Sequence, residues 1–114
     1  MSPSAPAFDT EHFRDIAEHL GRDTAIEAVG LFLSTCDRHA ANAAHGDLAP
    51  RLEAAHTLKG MSLQLGLGAL GEACHEIERA CRDGSLTNAE AAAVSLPASL
   101  AEAKRLLAKA AAEL

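Results

Sequence analysis

The residues whose types best suit chemistry are a histidine followed by a lysine and a glycine, at His56, Lys59 and Gly60. Apolar residues around them recur every three or four positions, which indicates a helix with one buried stripe centred near Arg51 and Ser62. At about 100° per residue, His56 projects roughly 130° away from the centre of that stripe. The sequence therefore predicts a histidine that faces solvent from a helix whose opposite side is buried.

The glycine one turn after the histidine requires an explanation, because glycine in a helix interior is about 1 kcal/mol less favourable than alanine. Without a Cβ at Gly60, a bulky group has room to reach the imidazole of His56, and Lys59 would place a cation beside it. Neutral imidazole is a nucleophile near neutral pH, since its ordinary pKa is about 6.5. A tetrahedral dianion such as a phosphoryl group fits these three residues.

At these residues the sequence resembles the histidine-containing phosphotransfer (HPt) domains of multistep phosphorelays. The family pattern is a histidine, then Leu-Lys-Gly at the second to fourth following positions, a small residue at the sixth and a glycine at the tenth. The matching residues are His56, Leu58, Lys59, Gly60, Ser62 and Gly66. A second block resembles the following helix of the family and contains Leu70, Cys74, Ile77, Glu78 and the Arg-Asp-Gly at 82–84.

The resemblance implies that His56 accepts a phosphoryl group from the aspartate of one receiver domain and passes it to the aspartate of another. Lys59 would then stabilise the charge of the phosphoryl group, and Gly60 would provide clearance. The implied partners are the receiver domains of a hybrid histidine kinase and of a response regulator. Such a protein is a phosphocarrier rather than an enzyme, and no cofactor is expected on it because magnesium belongs to the receiver.

A partner that reaches His56 also needs a surrounding surface, and the helical wheel indicates Leu63 as its apolar centre. Leu63 lies two turns along the predicted helix from His56 and only about 20° around it. Lys59 and Gln64, together with outward-facing Glu78 and Arg82 of the next helix, would form a polar rim. A core contact with a neighbouring helix is the other interpretation of Leu63, and the sequence leaves both open.

Two further interpretations compete with a phosphocarrier. One is an interaction domain that docks receivers, or serves as a phosphate sink, without relaying the group. The other is a metal-binding bundle, because two Glu-x-x-His pairs fall on adjacent predicted helices. These pairs are Glu53 with His56 and Glu72 with His75. The helical wheel argues against the metal site, since ligands in a bundle project inward and these side chains lie opposite the apolar stripes.

The composition fixes the broad class of protein. The 114 residues are 48% hydrophobic but only 3% aromatic. Alanine, leucine and charged helix formers dominate, which favours a single all-α domain. A formal net charge of −6 argues against nucleic acid, which is bound through lysine and arginine. No apolar run reaches the roughly 18 residues that span a bilayer, and three cysteines without a secretory signal favour the cytoplasm.

The predicted fold is an antiparallel up-down-up-down four-helix bundle with a short N-terminal capping helix, and we expect a monomer. Residues 1–7 are expected to form a disordered tail and residues 8–114 the domain. The first four helices are bounded by Asp9 and Gly21, by Asp23 and His45, by Asp47 and Gly66, and by Ala69 and Asp83.

The last part of the chain contains a capping-box pair, Thr87 and Glu90, which predicts a helix start there. Pro97 interrupts the pattern that follows. It leaves open either a kinked helix or a short helix followed by a longer one from about Leu96.

Overall fold

The computed structural model describes residues 5–114, and all the regular secondary structure in that range is helical. The six helices of this range are α1 (Thr10–Leu20), α2 (Arg22–Ala44), α3 (Leu48–Gln64), α4 (Gly68–Arg82), α5 (Leu86–Ala93) and α6 (Leu96–Ala112). The predicted all-α class is confirmed. Within the same residues, no helix has the length and apolar character needed to cross a membrane.

Local sequence signals determine where the first helices begin and end. The side chain of Asp9 caps α1 by accepting a hydrogen bond from the backbone N–H of His12. Phe8 packs against Phe13 with ring centroids 5.5 Å apart, which is the arrangement of a hydrophobic staple. Gly21 separates α1 from α2 with a φ of 90°, a conformation that glycine adopts without steric cost.

The C-terminal region begins its helix earlier than the sequence predicted. The hydroxyl of Ser85 accepts a hydrogen bond from the backbone N–H of Asn88, so Ser85 caps α5 and the predicted capping box of Thr87 and Glu90 is wrong. Pro97 lies in the first turn of α6, where its missing N–H removes no helical hydrogen bond. A short helix followed by a longer one is therefore the correct alternative.

The core lies where α2, α3, α4 and α6 meet. Helix α3 packs against α2 and α4, while α6 packs against α2 and α4; α5 packs mainly against α4, and α1 against α2. The largest fully buried apolar side chains are Phe32, Leu58, Leu67, Leu70, Ile77, Leu96 and Leu107. Burial of each such side chain stabilises the folded state by about 1.5 to 3 kcal/mol. Because α3 packs against α4, the exposed face of α3 borders α4.

The segment before α1 is hydrogen bonded to α4. The backbone N–H of Ala5 donates to a carboxylate oxygen of Glu72 at 2.9 Å, and the carbonyl of Pro6 accepts from Ala69 at 3.0 Å. The N–H groups of a first helical turn have no partner within their own helix, which is why the carbonyl of Pro6 binds there. The division into a disordered tail of residues 1–7 and a domain of residues 8–114 stays a prediction, and residues 1–4 lie outside the described range.

Candidate functional site

His56 lies near the middle of α3 and projects into solvent, with 64% of its side chain exposed. The opposite side of the helix is buried and includes Leu58 and Ser62. The hydroxyl of Ser62 donates to the carbonyl of Leu58 at 2.7 Å, so this buried polar group is satisfied within the helix. The prediction of a solvent-facing histidine on a helix that is buried on its other side is confirmed.

One nitrogen of the His56 ring is held by a carboxylate from the neighbouring helix. Nδ1 lies 2.6 Å from Oε2 of Glu78 on α4. Glu78 has no exposed surface, so the prediction that it faces outward is wrong. Its position on α4 directly follows buried Ile77, and the close packing of α3 on α4 covers this side of the helix as well.

Two cations bind the other oxygen of the Glu78 carboxylate. Lys59 Nζ donates to Oε1 at 2.7 Å, and an Arg82 guanidinium nitrogen donates to the same atom at 3.1 Å. The Lys59 side chain is only 21% exposed, whereas that of Arg82 is 58% exposed. A buried carboxylate is tolerated in this position because it is both paired with charge and hydrogen bonded.

These contacts determine which nitrogen of the His56 ring carries the hydrogen. Desolvation by burial acts to raise the pKa of Glu78, but hydrogen bonds from Lys59 and His56 lower it. The positive charges of Lys59 and Arg82 act in the same direction, so the pKa of Glu78 lies below its usual value. A carboxylate only accepts hydrogen bonds, and Nδ1 of His56 must therefore carry the hydrogen. In the neutral ring, Nε2 then presents its lone pair as a nucleophile.

Substitution of Glu78 by glutamine should remove an acid-sensitive part of the stability of the protein. Because the pKa of Glu78 is depressed in the folded state, its contribution is present above the ordinary glutamate pKa of about 4.3 and is lost as the pH falls through the folded-state value. We expect Glu78→Gln to lower the free energy of unfolding by about 1 to 3 kcal/mol near neutral pH. The variant should then lose less stability than the wild type on acidification.

Denaturant unfolding near pH 7 and near pH 3 measures this difference. Glu76→Gln is the matched control, because Glu76 lies on the same helix with 54% of its side chain exposed. An equal loss of stability on acidification in the wild type and in Glu78→Gln would contradict the assignment of a charged, stabilising carboxylate.

Gly60 has open space around the position of its missing side chain. A Cβ built on Gly60 would meet no heavy atom of the described residues within 4 Å, leaving aside its own helix backbone and its chain neighbours. Its backbone is also not in the left-handed region that favours glycine. Alanine would be about 1 kcal/mol more favourable at this position, so packing within the described chain gives no reason for glycine. The role of Gly60 in giving access to His56 stays a prediction.

Leu63 has one side on the neighbouring helix and the other in solvent. It is 50% exposed, yet a Cβ added to Gly71 of α4 would come within 2.6 Å of its Cδ2. Gln64 is also exposed, and its carbonyl lies 3.0 Å from Nε2 of His12 on α1. The structure thus gives Leu63 both a contact with α4 and a free apolar surface. The docking roles of Leu63, Gln64 and Arg82 stay predictions.

Comparison with models of protein families shows to which family the chain belongs. The model of the Hpt domain family matches residues 27–111, which include all of α3, α4 and α5. The chain belongs to the Hpt domain family. This confirms the resemblance drawn from the residues that follow His56. No curated protein and no solved structure matches the chain. Hpt domains are phosphocarriers that use a histidine in phosphorelays and interact with receiver domains of two-component systems.

The alternative of an inward-facing metal site is not formed in this Hpt domain. The four side chains concerned, Glu53, His56, Glu72 and His75, are all exposed. Within residues 5–114, no group of three or more His, Cys, Asp or Glu side chains is arranged to hold a metal ion. The ring of His56 is instead bound by Glu78 of α4.

Sequence reasoning missed the pairing of Glu78 with His56, although one signal was present. Glu78 and Arg82 are spaced as an i, i+4 ion pair on α4, and the structure confirms that contact. The spacing does not say which group of another helix lies across from the carboxylate. In this Hpt domain that group is the imidazole ring of His56.

Proposed function

We propose that this Hpt domain carries a phosphoryl group on Nε2 of His56. It accepts the group from the aspartyl phosphate of one receiver domain and passes it to the aspartate of a second receiver. The observation that carries this proposal is the bond from Nδ1 to the buried carboxylate of Glu78, on a histidine that is otherwise exposed. That bond fixes the tautomer and leaves Nε2 as the nucleophile facing solvent.

In the first transfer, the lone pair of Nε2 attacks the phosphorus in line with the bond to the aspartate. The P–N bond forms while the P–O bond breaks, and the aspartate carboxylate leaves with the electron pair. The ring of His56 becomes cationic, and its Nδ1 keeps its hydrogen, which stays hydrogen bonded to the carboxylate of Glu78, whose negative charge stabilises the product. In the second transfer, an aspartate oxygen attacks and the electron pair returns to Nε2. No proton has to leave the ring in either step.

The charges around Glu78 suit a phosphoryl group. One carboxylate is shared by two cations, Lys59 and Arg82, which leaves an excess of positive charge beside His56. A phosphoryl group brings a charge of about −1.5 to −2, so either cation gains a second partner when the group arrives. We assign charge stabilisation to Lys59, which is the less exposed of the two. Magnesium and the acidic residues that bind it would be supplied by the receiver.

The proposed partners are the receiver domains of a hybrid histidine kinase and of a response regulator. We further propose that the chain acts as a monomer in the cytoplasm, where the buried free thiols of its three cysteines fit a reducing environment. Short connections between consecutive, mutually packed helices support the up-down-up-down bundle as the arrangement of α2, α3, α4 and α6.

A two-step relay tests the proposal. The protein is mixed with a purified receiver domain that carries a labelled phosphoryl group, and label should move to the chain. Addition of a second, unphosphorylated receiver should then remove it. Label that reaches the chain and stays there would favour a phosphate sink, and receiver binding without any label would favour a docking domain.

Leu63→Asp should weaken receiver binding while costing little stability. A charge placed in the centre of an apolar contact should lower the affinity for the receiver by at least about tenfold. Because half of Leu63 already faces solvent, the free energy of unfolding should fall by only about 1 kcal/mol. Leu31→Asp is the matched control, since Leu31 is 62% exposed on α2. A large fall in the thermal midpoint of Leu63→Asp with unchanged receiver affinity would show that Leu63 is core.

A further inference from the structure

We call residues 5–8 the N-terminal strap; its first two residues, Ala5 and Pro6, lie across the first turn of α4. The backbone of Ala5 is tied to Glu72 by a hydrogen bond of 2.9 Å. The strap approaches Gly68 so closely that a Cβ there would lie 2.9 Å from the carbonyl oxygen of Pro6 and 3.2 Å from the Cβ of Ala5. The absence of a side chain at Gly68 is therefore what allows the strap to sit where it does.

The strap forms one wall of a groove between α3 and α4. The groove has a volume of about 320 Å³, and Ala5 lines it together with Lys59 and Leu63 of α3. Gly71 contributes to the α4 side, where the missing Cβ leaves room for the Leu63 side chain. One end of the groove is thus apolar, with methyl groups from the strap and from Leu63, and Lys59 supplies a cation.

This groove lies within the area that a receiver must cover. A stable interface buries about 800 Å² on each partner, which corresponds to a disc of roughly 16 Å radius. Leu63 is seven residues along α3 from His56, a rise of about 10 Å. Lys59, which also lines the groove, binds the same carboxylate as His56. A receiver centred on His56 therefore reaches the groove and the strap beside it.

We propose that the N-terminal strap is part of the receiver-binding surface and that the groove takes an apolar side chain of the receiver. This inference rests on the proposed function and adds a contact to it. The strap lies outside residues 27–111, the part of the chain that matches the family. It is therefore a place where this Hpt domain can distinguish its own receivers from others, because the position of the strap sets the width of the groove.

Addition of one methyl group tests the proposal. In Gly68→Ala the new Cβ would overlap the backbone of Pro6, so the strap must shift, while alanine is well tolerated in the first turn of α4. We expect receiver affinity to fall about fivefold, the size typical of a contact outside the hot spot. The control is Gly30→Ala on α2, where a Cβ meets nothing within 4 Å. Labelling of His56 by phosphoramidate, a small donor that needs no docking, should be unchanged in both variants.

A second pair of variants releases the strap without touching Gly68. Glu72→Ala removes the acceptor of the Ala5 hydrogen bond, and Glu72→Gln keeps an oxygen that can accept it. Affinity should fall in Glu72→Ala and be retained in Glu72→Gln, with thermal melts confirming that both are folded. Wild-type receiver affinity in both Gly68→Ala and Glu72→Ala would overturn the role of the strap and leave the proposed function intact. A wild-type chain that exchanges no phosphoryl group with any receiver would overturn both.

Discussion

Replacement of His56 by glutamine should reduce phosphoryl transfer to the chain to background. The change removes the only nitrogen that the proposal uses for the P–N bond. The glutamine amide can still donate to Glu78, so the free energy of unfolding should change by no more than about 1 kcal/mol. Label on the wild type should be labile in acid and stable in base, as expected for a P–N bond. The measurement is receiver-dependent labelling followed by acid and base treatment.

His75→Gln is the matched control for this experiment. His75 is also exposed, and it lines the same groove as Lys59 on the neighbouring helix. It has no carboxylate partner among the hydrogen bonds of the described residues, whereas His56 has Glu78. His75→Gln should therefore still carry the acid-labile label, and this comparison is of the presence of label rather than of its rate of formation, because His75 lines the groove proposed to contact the receiver. Label that survives the change at His56 would move the acceptor to another of the six histidines.

Gly60→Leu should block transfer from a receiver without harming the fold. A Cβ at Gly60 meets nothing within 4 Å, and leucine is a better helix former than glycine by nearly 1 kcal/mol. The thermal midpoint should therefore stay the same or rise. A bulky side chain one turn from His56 would hold the receiver away from Nε2, and a misplacement of about 1 Å can cost a hundredfold in rate. Stability and transfer rate are expected to change in opposite directions.

The matched control is Gly30→Leu. Like Gly60, Gly30 is exposed inside a helix, and a Cβ built there meets nothing within 4 Å. That variant should relay at the wild-type rate. Phosphoramidate labelling of His56 should fall less in Gly60→Leu than labelling by a receiver, because a small donor needs less clearance. A Gly60→Leu variant that relays normally would show that the glycine is not there to admit the partner.

The local sequence was sufficient to predict the class of the fold, most helix ends and the exposure of His56. These features depend on neighbours within one or two turns of the chain. Asp9 caps α1 through a residue three positions away, and Pro97 is accommodated by its own first turn. The exposure of His56 follows from the helical period, because the buried stripe on the opposite face fixes which side of α3 meets solvent.

The surroundings of His56 depend on contacts between helices that are distant in sequence. Its partner Glu78 is 22 residues away along the chain, and the helical period gives the direction of a side chain without saying which helix covers it. The wheel therefore placed Glu78 outside, although α3 covers it and His56, Lys59 and Arg82 satisfy its charge. The N-terminal strap shows the same limit, since the backbone of Ala5 is hydrogen bonded to Glu72, which is 67 residues away along the chain. Contacts between distant segments depend on how the helices pack, and local periodicity carries no information about that packing.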